Sequence, residues 1–273
     1  KMKISVIIST KNEQKNIKRL LKSLKKQSFS GFETILVDNF SFDQTSKIAK
    51  PFVDKLLHTG NERSSQRNYG AKKASGKWLL FLDADMQLKK KALEEYWQLA
   101  SSSKKSIIAL PEISIGKTFW GKAISVERNC YIGQNLLTAA RMFPRKDFTN
   151  QKGFDKNLIA AEDWDLTNRF IKAGFDLKIA KTPLFHFEPE ENLINMIKKE
   201  IYYLNYIEIY SKKYPKIFSK QSSISYRLSL WAKSWNILIK NPLSTFGFLF
   251  YKFSVWILWQ LKKNKIISFQ SLQ

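Results

Sequence analysis

Two aspartates, one residue apart, follow four apolar residues in the segment LLFLDADMQL at positions 79–88. Asp83 and Asp85 fall on the same side of an extended chain, because side chains alternate between the two faces of a strand. Carboxylates this close repel each other unless hydrogen bonds or a cation offset their charge. The pair is therefore a candidate for chemistry, and its use depends on its surroundings.

Three uses fit such a pair. The first is structural, with each carboxylate capping nearby backbone N–H groups. The second is the site of haloacid-dehalogenase-type phosphatases, which normally has Thr or Val two residues after the second aspartate, where this chain has Gln87. The third is a divalent cation that bridges a diphosphate. Mg²⁺ is usually held by one or two carboxylates plus substrate phosphates, and Mn²⁺ takes similar oxygen ligands, so we favour this third use.

The segments around the pair alternate between strand and helix patterns. Continuous apolar runs predict buried strands, and apolar residues at i, i+3, i+4 and i+7 predict amphipathic helices. Thr10 and Glu13 have the spacing of a capping box for the first helix. We predict strands at 4–9, 32–37, 55–58 and 78–82, and helices at 17–24, 44–50 and 64–74. This alternation is typical of a parallel sheet with helical crossovers.

Polar residues stand where three of these strands end, namely Thr10, Asp38 and Asp83. Open parallel sheets bind ligands outside the carboxyl ends of their strands, so we expect the three side chains to converge at one edge. Farther along we predict a helix at 90–101, a strand at 107–113, a strand or turn in FPRKDF, a helix from 160 and a strand at 177–180.

Composition limits the class of protein and its partners. The chain has 273 residues, is 44% hydrophobic and carries a formal net charge of +24. The apolar content favours a sizeable core, and the charge fits either an anionic partner or a lysine-rich solubilising surface. Cys130 is the only cysteine, which excludes an intrachain disulfide and a cysteine-based zinc site. The opening KMKISVIIST lacks the ordered regions of a secretory signal, so we expect none there.

Five segments in order, followed by His186, resemble the family 2 inverting glycosyltransferases of the GT-A fold. The resemblance covers residues 3 to about 190 and is carried by ISVIISTKNE at 4–13, ILVDNFSFDQT at 35–45, QRNYGAKKASGKWLLFLDADM at 66–86, GFD at 153–155 and AEDWDLTNRFIKAGF at 161–175. It implies an α/β fold with a Rossmann-like, mostly parallel central sheet flanked by helices.

The resemblance also implies roles at the matching positions. The predicted donor-binding residues are Thr10, Glu13, Asp38, Arg67 and Asp83. Asp85 is expected to ligate Mn²⁺ or Mg²⁺, and His186 to complete the metal site or contact the diphosphate. The alternative for His186 is a packed histidine between two phenylalanines. Many relatives have a third acid after the second aspartate, but this chain has Met86 there.

An inverting transfer needs a general base for the acceptor hydroxyl, and the resemblance assigns that role to Asp163. Glu162 and Asp165 are competitors, and Glu162 and Trp164 are predicted to contact the acceptor. From the residues alone, acids at 162–165 could equally serve to favour the start of a helix through its dipole.

A basic, aromatic tail follows the region of resemblance, and we predict domains at 1–215 and 216–273. Its segment 243–261 is mostly apolar, and Lys252 is its only charged residue. A helix of nineteen residues would span about 28 Å, close to the thickness of a bilayer core. Three interpretations stay open: a helix lying on an anionic leaflet, a single spanning helix, and a helix packed on the catalytic domain or a second copy. We favour the first.

These observations predict a metal-dependent inverting glycosyltransferase that moves a sugar from a nucleotide diphosphate donor, with UDP expected, to a saccharide or lipid-linked acceptor. We expect it to be cytoplasmic, peripheral or monotopic on the cytoplasmic face of a membrane. We expect no nucleic acid as a partner, because no nucleic-acid-binding motif accompanies the charge. The alternatives are a sugar-phosphate nucleotidylyltransferase, whose glycine-rich loop is missing from ISTKNE, and a non-catalytic protein that binds anionic lipid or nucleic acid.

Overall fold

The structure is a computed structural model and describes residues 2–60, 62–103 and 105–263. The chain folds into two compact units. The first comprises the residues up to Glu112 together with Leu137–His186, and the second comprises Ile113–Leu136 together with the residues from Phe187 onward. The domain boundary predicted at 215/216 falls inside the second unit.

A seven-stranded sheet forms the centre of the first unit, in the order β3-β2-β1-β4-β8-β6-β9. The strands among the described residues are β1 (Ile4–Thr10), β2 (Phe32–Asp38), β3 (Lys55–His58), β4 (Trp78–Asp83), β5 (Met86–Gln87), β6 (Ser106–Ala109), β7 (Glu112–Ile115), β8 (Ala140–Pro144), β9 (Asp176–Ile179) and β10 (Leu184–Phe187). The predicted mixed α/β architecture with a mostly parallel central sheet is confirmed.

The helices flank the sheet in the first unit and dominate the second. The first unit contains α1 (Ile17–Lys25), α2 (Thr45–Ala49), α3 (Arg63–Lys73), α4 (Ala92–Ser101), α6 (Arg145–Asn150) and α7 (Glu162–Lys172). The second contains α5 (Phe119–Asn129), α8 (Leu193–Lys213), α9 (Pro215–Gln221), α10 (Ile224–Lys233), α11 (Trp235–Lys240) and α12 (Pro242–Lys263).

Strand β1 is buried along its whole length because helices cover both faces of the sheet. It pairs in parallel with β2 on one side, where Thr10 lies opposite Asp38. It pairs in parallel with β4 on the other side, where Ser9 lies opposite Asp83. This register brings the ends of three strands to one edge, as the sequence predicts.

Three local predictions differ from the structure. The strand predicted at 107–113 is two strands, β6 and β7, because Pro111 interrupts the ladder. The FPRKDF segment spans the end of β8, which lies antiparallel to β4, and the start of α6. The Thr10–Glu13 capping box is absent, because α1 begins only at Ile17 and the Glu13 carboxylate accepts from Asn16 Nδ2 at 2.9 Å.

In the second unit, α5 and α12 pack against each other. Ala123 and Val126 of α5 share a cluster with Phe248 of α12. Gly247 permits close approach, since a Cβ there would lie 2.8 Å from Phe119 Cζ. Among the described residues, none of the helices is both long enough and apolar enough to cross a membrane. The final part of the predicted tail, residues 264–273, lies outside the described residues.

Glu33 of β2 joins separate segments of the first unit. Its carboxylate accepts from Ser5 Oγ at 2.6 Å, from the Ser75 backbone N–H and hydroxyl at 2.6 Å each, and from Lys55 Nζ at 2.9 Å. Burial disfavours the charged form, but these donors outweigh it and lower the pKa of Glu33 to about 2.

Replacing Glu33 with Gln should therefore lower the free energy of unfolding at neutral pH by about 2 kcal/mol, since hydrogen bonds to charged groups contribute roughly 1.5–3 kcal/mol. Because folding lowers this pKa, the stabilisation is complete above the unfolded-state value of about 4.3 and is lost as the pH falls toward the folded value. Urea denaturation at neutral and at acidic pH measures the effect, and the difference between the two proteins should shrink in acid. The exposed Glu62→Gln control should change stability by less than about 0.5 kcal/mol; an equal loss in both variants would contradict the role of Glu33.

Candidate active site

The first part of the candidate site lies where β1 and β2 end. Thr10 and Asp38 are almost fully buried, and the Thr10 hydroxyl donates to Asp38 Oδ1 at 3.0 Å. Asp38 also accepts from the hydroxyl and the backbone N–H of Ser41. Gln66 Nε2 donates to the backbone carbonyls of Thr10 and Val37, which ties α3 to both strands. Hydrogen bonds thus join the ends of β1 and β2 to each other and to α3.

Asp83, at the end of β4, accepts from two arginines. Arg67 Nη2 donates to Asp83 Oδ1 at 2.8 Å, and Arg141 Nη1 donates to Oδ2 at 3.2 Å. Burial favours the neutral acid, but the charges of Arg67 and Arg141 outweigh burial and hold the pKa of Asp83 well below its usual range. Asp83 is therefore ionised at neutral pH.

Arg67 connects this strand end to the start of α7. Its side chain is 1% exposed, and its Nη1 donates to Asp163 Oδ1 at 2.8 Å and to Glu162 Oε1 at 3.3 Å. Helix α3 can bring the guanidinium this deep because Gly70 packs directly on the sheet, where a Cβ would lie 2.6 Å from Ile7 Cγ2. One buried cation therefore holds three carboxylates from β4 and α7.

The three acids at 162–165 differ in burial and in their partners. Glu162 is buried, and Arg63 Nη2 lies 2.7 Å from its carboxylate; burial and the neighbouring Asp163 raise the pKa of Glu162. Asp163 keeps 29% of its side chain exposed. Asp165 is fully buried and accepts from Arg169 Nε at 2.8 Å, which is a structural role. Of the two competitors of Asp163, only Glu162 contacts the same arginine.

The start of α7 is fixed by the backbone as well as by Arg67. Ala161, immediately before the helix, has a left-handed backbone with φ +64°, which is unfavourable for a residue with a Cβ. The Thr167 hydroxyl donates to the Asp163 carbonyl at 2.7 Å and accepts from the Ala140 backbone N–H at 2.9 Å. Trp164, the predicted acceptor residue, donates from Nε1 to the Leu137 carbonyl at 3.4 Å.

His186 lies between two carboxylates. Its Nε2 is 3.2 Å from Asp85 Oδ2, and its Nδ1 is 3.2 Å from Glu112 Oε2. Burial disfavours the imidazolium, but the hydrogen bonds with Asp85 and Glu112 outweigh it and raise the pKa of His186 to about 10. Burial likewise opposes the charge on Glu112, whereas Arg141 and His186 lower its pKa to about 2.

Asp85 carries the feature that best fits a metal ion. Its Oδ1 is buried and has no hydrogen-bond partner among the described residues. Such an orphaned carboxylate oxygen is costly unless something compensates it. No group of three or more His, Cys, Asp and Glu side chains in the described ranges is arranged to hold a metal. The orphaned Asp85 oxygen is the kind of donor that Mg²⁺ or Mn²⁺ takes alongside phosphates and water.

Glu13 lies close enough to the aspartate pair to sense its charge. Burial raises the pKa of Glu13, the bond from Asn16 lowers it, and the charges of Asp85 and Asp83 add to the rise. The structure thus brings Thr10, Glu13, Asp38, Asp83, Asp85, Asp163 and His186 to the same unit and the same end of the sheet. His58 instead stacks on Phe40, with ring centroids 6.2 Å apart.

Three charged residues of the site are absent from the sequence-based prediction: Arg63, Glu112 and Arg141. Arg141 is 12% exposed at its side chain and bridges Asp83 to Glu112. Its position follows from the antiparallel pairing of β8 with β4, which the sequence pattern at 138–145 does not indicate. A signal did exist for Glu112, an acid that follows Pro111 within the otherwise apolar strand predicted at 107–113.

The comparisons with known proteins agree with this geometry. The family described as "Glycosyl transferase family 2" matches residues 5–166. The chain is 39% identical over 103 residues to the poly(ribitol-phosphate) beta-N-acetylglucosaminyltransferase TarS of Staphylococcus aureus, a match covering 34% of this chain and 18% of TarS. It is 24% identical over 227 residues to the GalNAc(5)-diNAcBac-PP-undecaprenol beta-1,3-glucosyltransferase of Campylobacter jejuni, covering 76% of this chain and 72% of that protein.

Solved structures share the fold. S. aureus TarS in complex with UDP-GlcNAc superposes with a TM-score of 0.55 at 20% identity, covering 89% of this chain and 82% of that one. The mannosyltransferase PcManGT of Pyrobaculum calidifontis, in complex with GDP-Man and Mn²⁺, gives a TM-score of 0.61 at 15% identity, covering 94% and 87%. At these identities the likeness establishes the GT-A fold alone.

Removal of the Arg67 guanidinium should be strongly destabilising. Arg67→Met leaves three buried or half-buried carboxylates without their shared cation, and breaking a buried pair costs roughly 3–5 kcal/mol. Arg63→Met is the matched control, because Arg63 contacts the same Glu162 but is 42% exposed, and surface pairs contribute at most about 1 kcal/mol. Urea denaturation of the two variants measures the difference. Equal losses would show that Arg67 is not the central contact.

Proposed function

The chain belongs to glycosyl transferase family 2, and on that premise we propose that it transfers a sugar from a nucleotide diphosphate donor to an acceptor hydroxyl with inversion at the anomeric carbon. An inverting transfer requires a base on the acceptor side and a held diphosphate on the donor side. The two must be positioned relative to each other to within a fraction of an ångström.

The observation that carries this proposal is the shared contact of Arg67 with Asp83 and Asp163. Asp83 is the residue we assign to the donor, and Asp163 the one we assign as general base. Each lies 2.8 Å from a different nitrogen of the same planar guanidinium. Because Arg67 is buried and occupied by carboxylates, we infer that it positions these two groups and does not itself contact the nucleotide.

Asp163 has the features that a general base needs. Its Oδ1 is held by Arg67, and its side chain is exposed enough to meet an acceptor. We assign the proton to Oδ2, which would take it from the acceptor hydroxyl as that oxygen attacks the anomeric carbon and the nucleotide diphosphate leaves. Glu162 is buried next to Asp163, so we assign it to fixing the start of α7 and the edge of the acceptor site.

The donor side is assigned to the strand ends. Thr10, Glu13 and Asp38 would line the nucleotide pocket, with Asp38 accepting from the base or ribose. Asp85, whose buried Oδ1 has no hydrogen-bond partner among the described residues, would hold Mn²⁺ or Mg²⁺. His186 would complete the metal site as the neutral imidazole, or contact the diphosphate as the imidazolium. When bound, such an ion supplies charge neutralisation for the leaving diphosphate. The Arg141 guanidinium, between Asp83 and Glu112, adds fixed positive charge at the same end of the site.

We further propose UDP as the nucleotide and a lipid-linked or polymeric saccharide as the acceptor. Support comes from the names of the relatives. TarS is described with UDP-GlcNAc and acts on poly(ribitol-phosphate), and the Campylobacter protein acts on an undecaprenol-linked saccharide.

The first test is release of free nucleotide from a panel of UDP-, GDP- and dTDP-sugars, with Mn²⁺ and with EDTA. We expect slow hydrolysis of one UDP-sugar that requires both the metal and Asp85, so that Asp85→Asn behaves like the wild type in EDTA. The exposed Asp176→Asn variant is the matched control and should retain the wild-type rate. Hydrolysis that is indifferent to EDTA and to Asp85→Asn would refute the metal assignment.

The base assignment is tested by Asp163→Asn. Loss of a general base lowers turnover by roughly 10² to 10⁴. We expect kcat to fall by that factor while donor binding, measured by calorimetry, is retained. Glu162→Gln separates the competitor: if it abolishes turnover while Asp163→Asn does not, the base is Glu162.

A further inference from the structure

Helix α12 has an apolar face that is exposed in the described part of the second unit. Its inner face is buried through Gly247, Phe248, Tyr251 and Val255. The outward residues are large and mostly aromatic: Leu243, Phe246, Leu249, Phe250, Phe253, Trp256 and Ile257, exposed by 38–75%. We call these seven residues the outer face of α12. Apolar patches of this kind on a folded surface mark interaction sites.

The one charge within this stretch is turned away from the outer face. Lys252 is the only charged residue from 243 to 261. Its Nζ lies 3.1 Å from Glu127 of α5 and 3.4 Å from Glu200 of α8, and the Tyr251 hydroxyl donates to Glu200 at 3.2 Å. Burial disfavours the Lys252 charge, but Glu127 and Glu200 raise its pKa, so it stays a paired cation. The outer face is therefore free of charge over its full length.

The surrounding sequence has one sign of charge. The 65 residues after Glu208 contain eleven Lys and Arg and no Asp or Glu. The cations of this region that the structure describes as exposed are Lys212, Lys213, Lys216, Lys220, Lys233 and Lys240. Lys240 ends α11 two residues before α12 begins. This combination of an apolar, aromatic helix face and neighbouring lysines, with no acidic residues between them, complements the surface of a bilayer with anionic headgroups.

We propose that the outer face of α12 docks in the interface of an anionic membrane, with the helix parallel to the bilayer plane. The seven residues extend over about 21 Å of helix, which gives a long contact at shallow depth. Trp256 is a residue type that favours the headgroup region. A second copy of this chain is disfavoured as the occupant, because two regions of the same positive charge would repel. On this proposal the protein binds the membrane peripherally, and the inference does not depend on the proposed transfer reaction.

Co-sedimentation of the full chain with vesicles tests the proposal. The probes are phosphatidylcholine alone and phosphatidylcholine with about one third phosphatidylglycerol, at low and high salt. We expect binding to the anionic vesicles, weakened by salt, and much weaker binding to the neutral ones. Phe253→Ser/Trp256→Ser should reduce the partition coefficient by at least about tenfold, because each aromatic contributes buried apolar area.

Two further variants control for charge and for general apolar exposure. Lys233→Glu/Lys240→Glu should weaken binding to anionic vesicles and reduce its salt dependence. Ile194→Ser, which removes an exposed apolar side chain from α8, should leave binding unchanged. The proposal is overturned if the wild type binds neither vesicle, binds both equally, or keeps its affinity in Phe253→Ser/Trp256→Ser. It is also overturned if sedimentation velocity without lipid shows a dimer that this double variant dissociates.

Discussion

The candidate site depends on one buried cation. The guanidinium of Arg67 is fully enclosed, and a buried charge is tolerated only when it is paired and hydrogen-bonded. Its partners are Asp83 at the end of β4 and Asp163 with Glu162 at the start of α7. Since all three partners are acids, they compensate the buried charge of Arg67, and Arg67 in turn compensates theirs.

This constraint explains features that are unfavourable when taken alone. Ala161 adopts a left-handed backbone just before α7, a conformation that persists only when the surroundings over-determine it. Gly70 weakens α3 as an isolated helix but allows it to lie directly on β1. Both features help to place charged groups at the carboxyl edge of the sheet. The pairing of β1 with β2 and β4 brings Thr10, Asp38 and Asp83 together at the same edge.

The second unit also contains a largely buried cation, Lys252, whose partners come from other helices. Lys252 is the only charged residue from 243 to 261 in α12, and Glu127 and Glu200 from two other helices compensate its charge. The pairing fixes which side of α12 faces the protein. It thereby leaves an uncharged, aromatic face on the other side. In both units a paired charge thus decides the orientation of an element, whereas apolar packing supplies most of the stability.

By itself, the sequence determined the alternating strands and helices of the first unit, the mostly parallel sheet and the ends of β1, β2 and β4. These follow from local patterns, since apolar runs and helical spacing are properties of neighbouring residues. The order of motifs also sufficed to identify the family, which residues 5–166 match.

What the acids contact was decided by the tertiary structure alone. Arg67 and Asp163 are separated by 96 residues, and Asp85 and His186 by 101. Strand β8 pairs antiparallel with β4 and so places Arg141 next to Asp83. Local sequence patterns do not predict this pairing either. Such contacts depend on where distant segments meet, because electrostatic pairing acts between positions in space and not between positions in the chain.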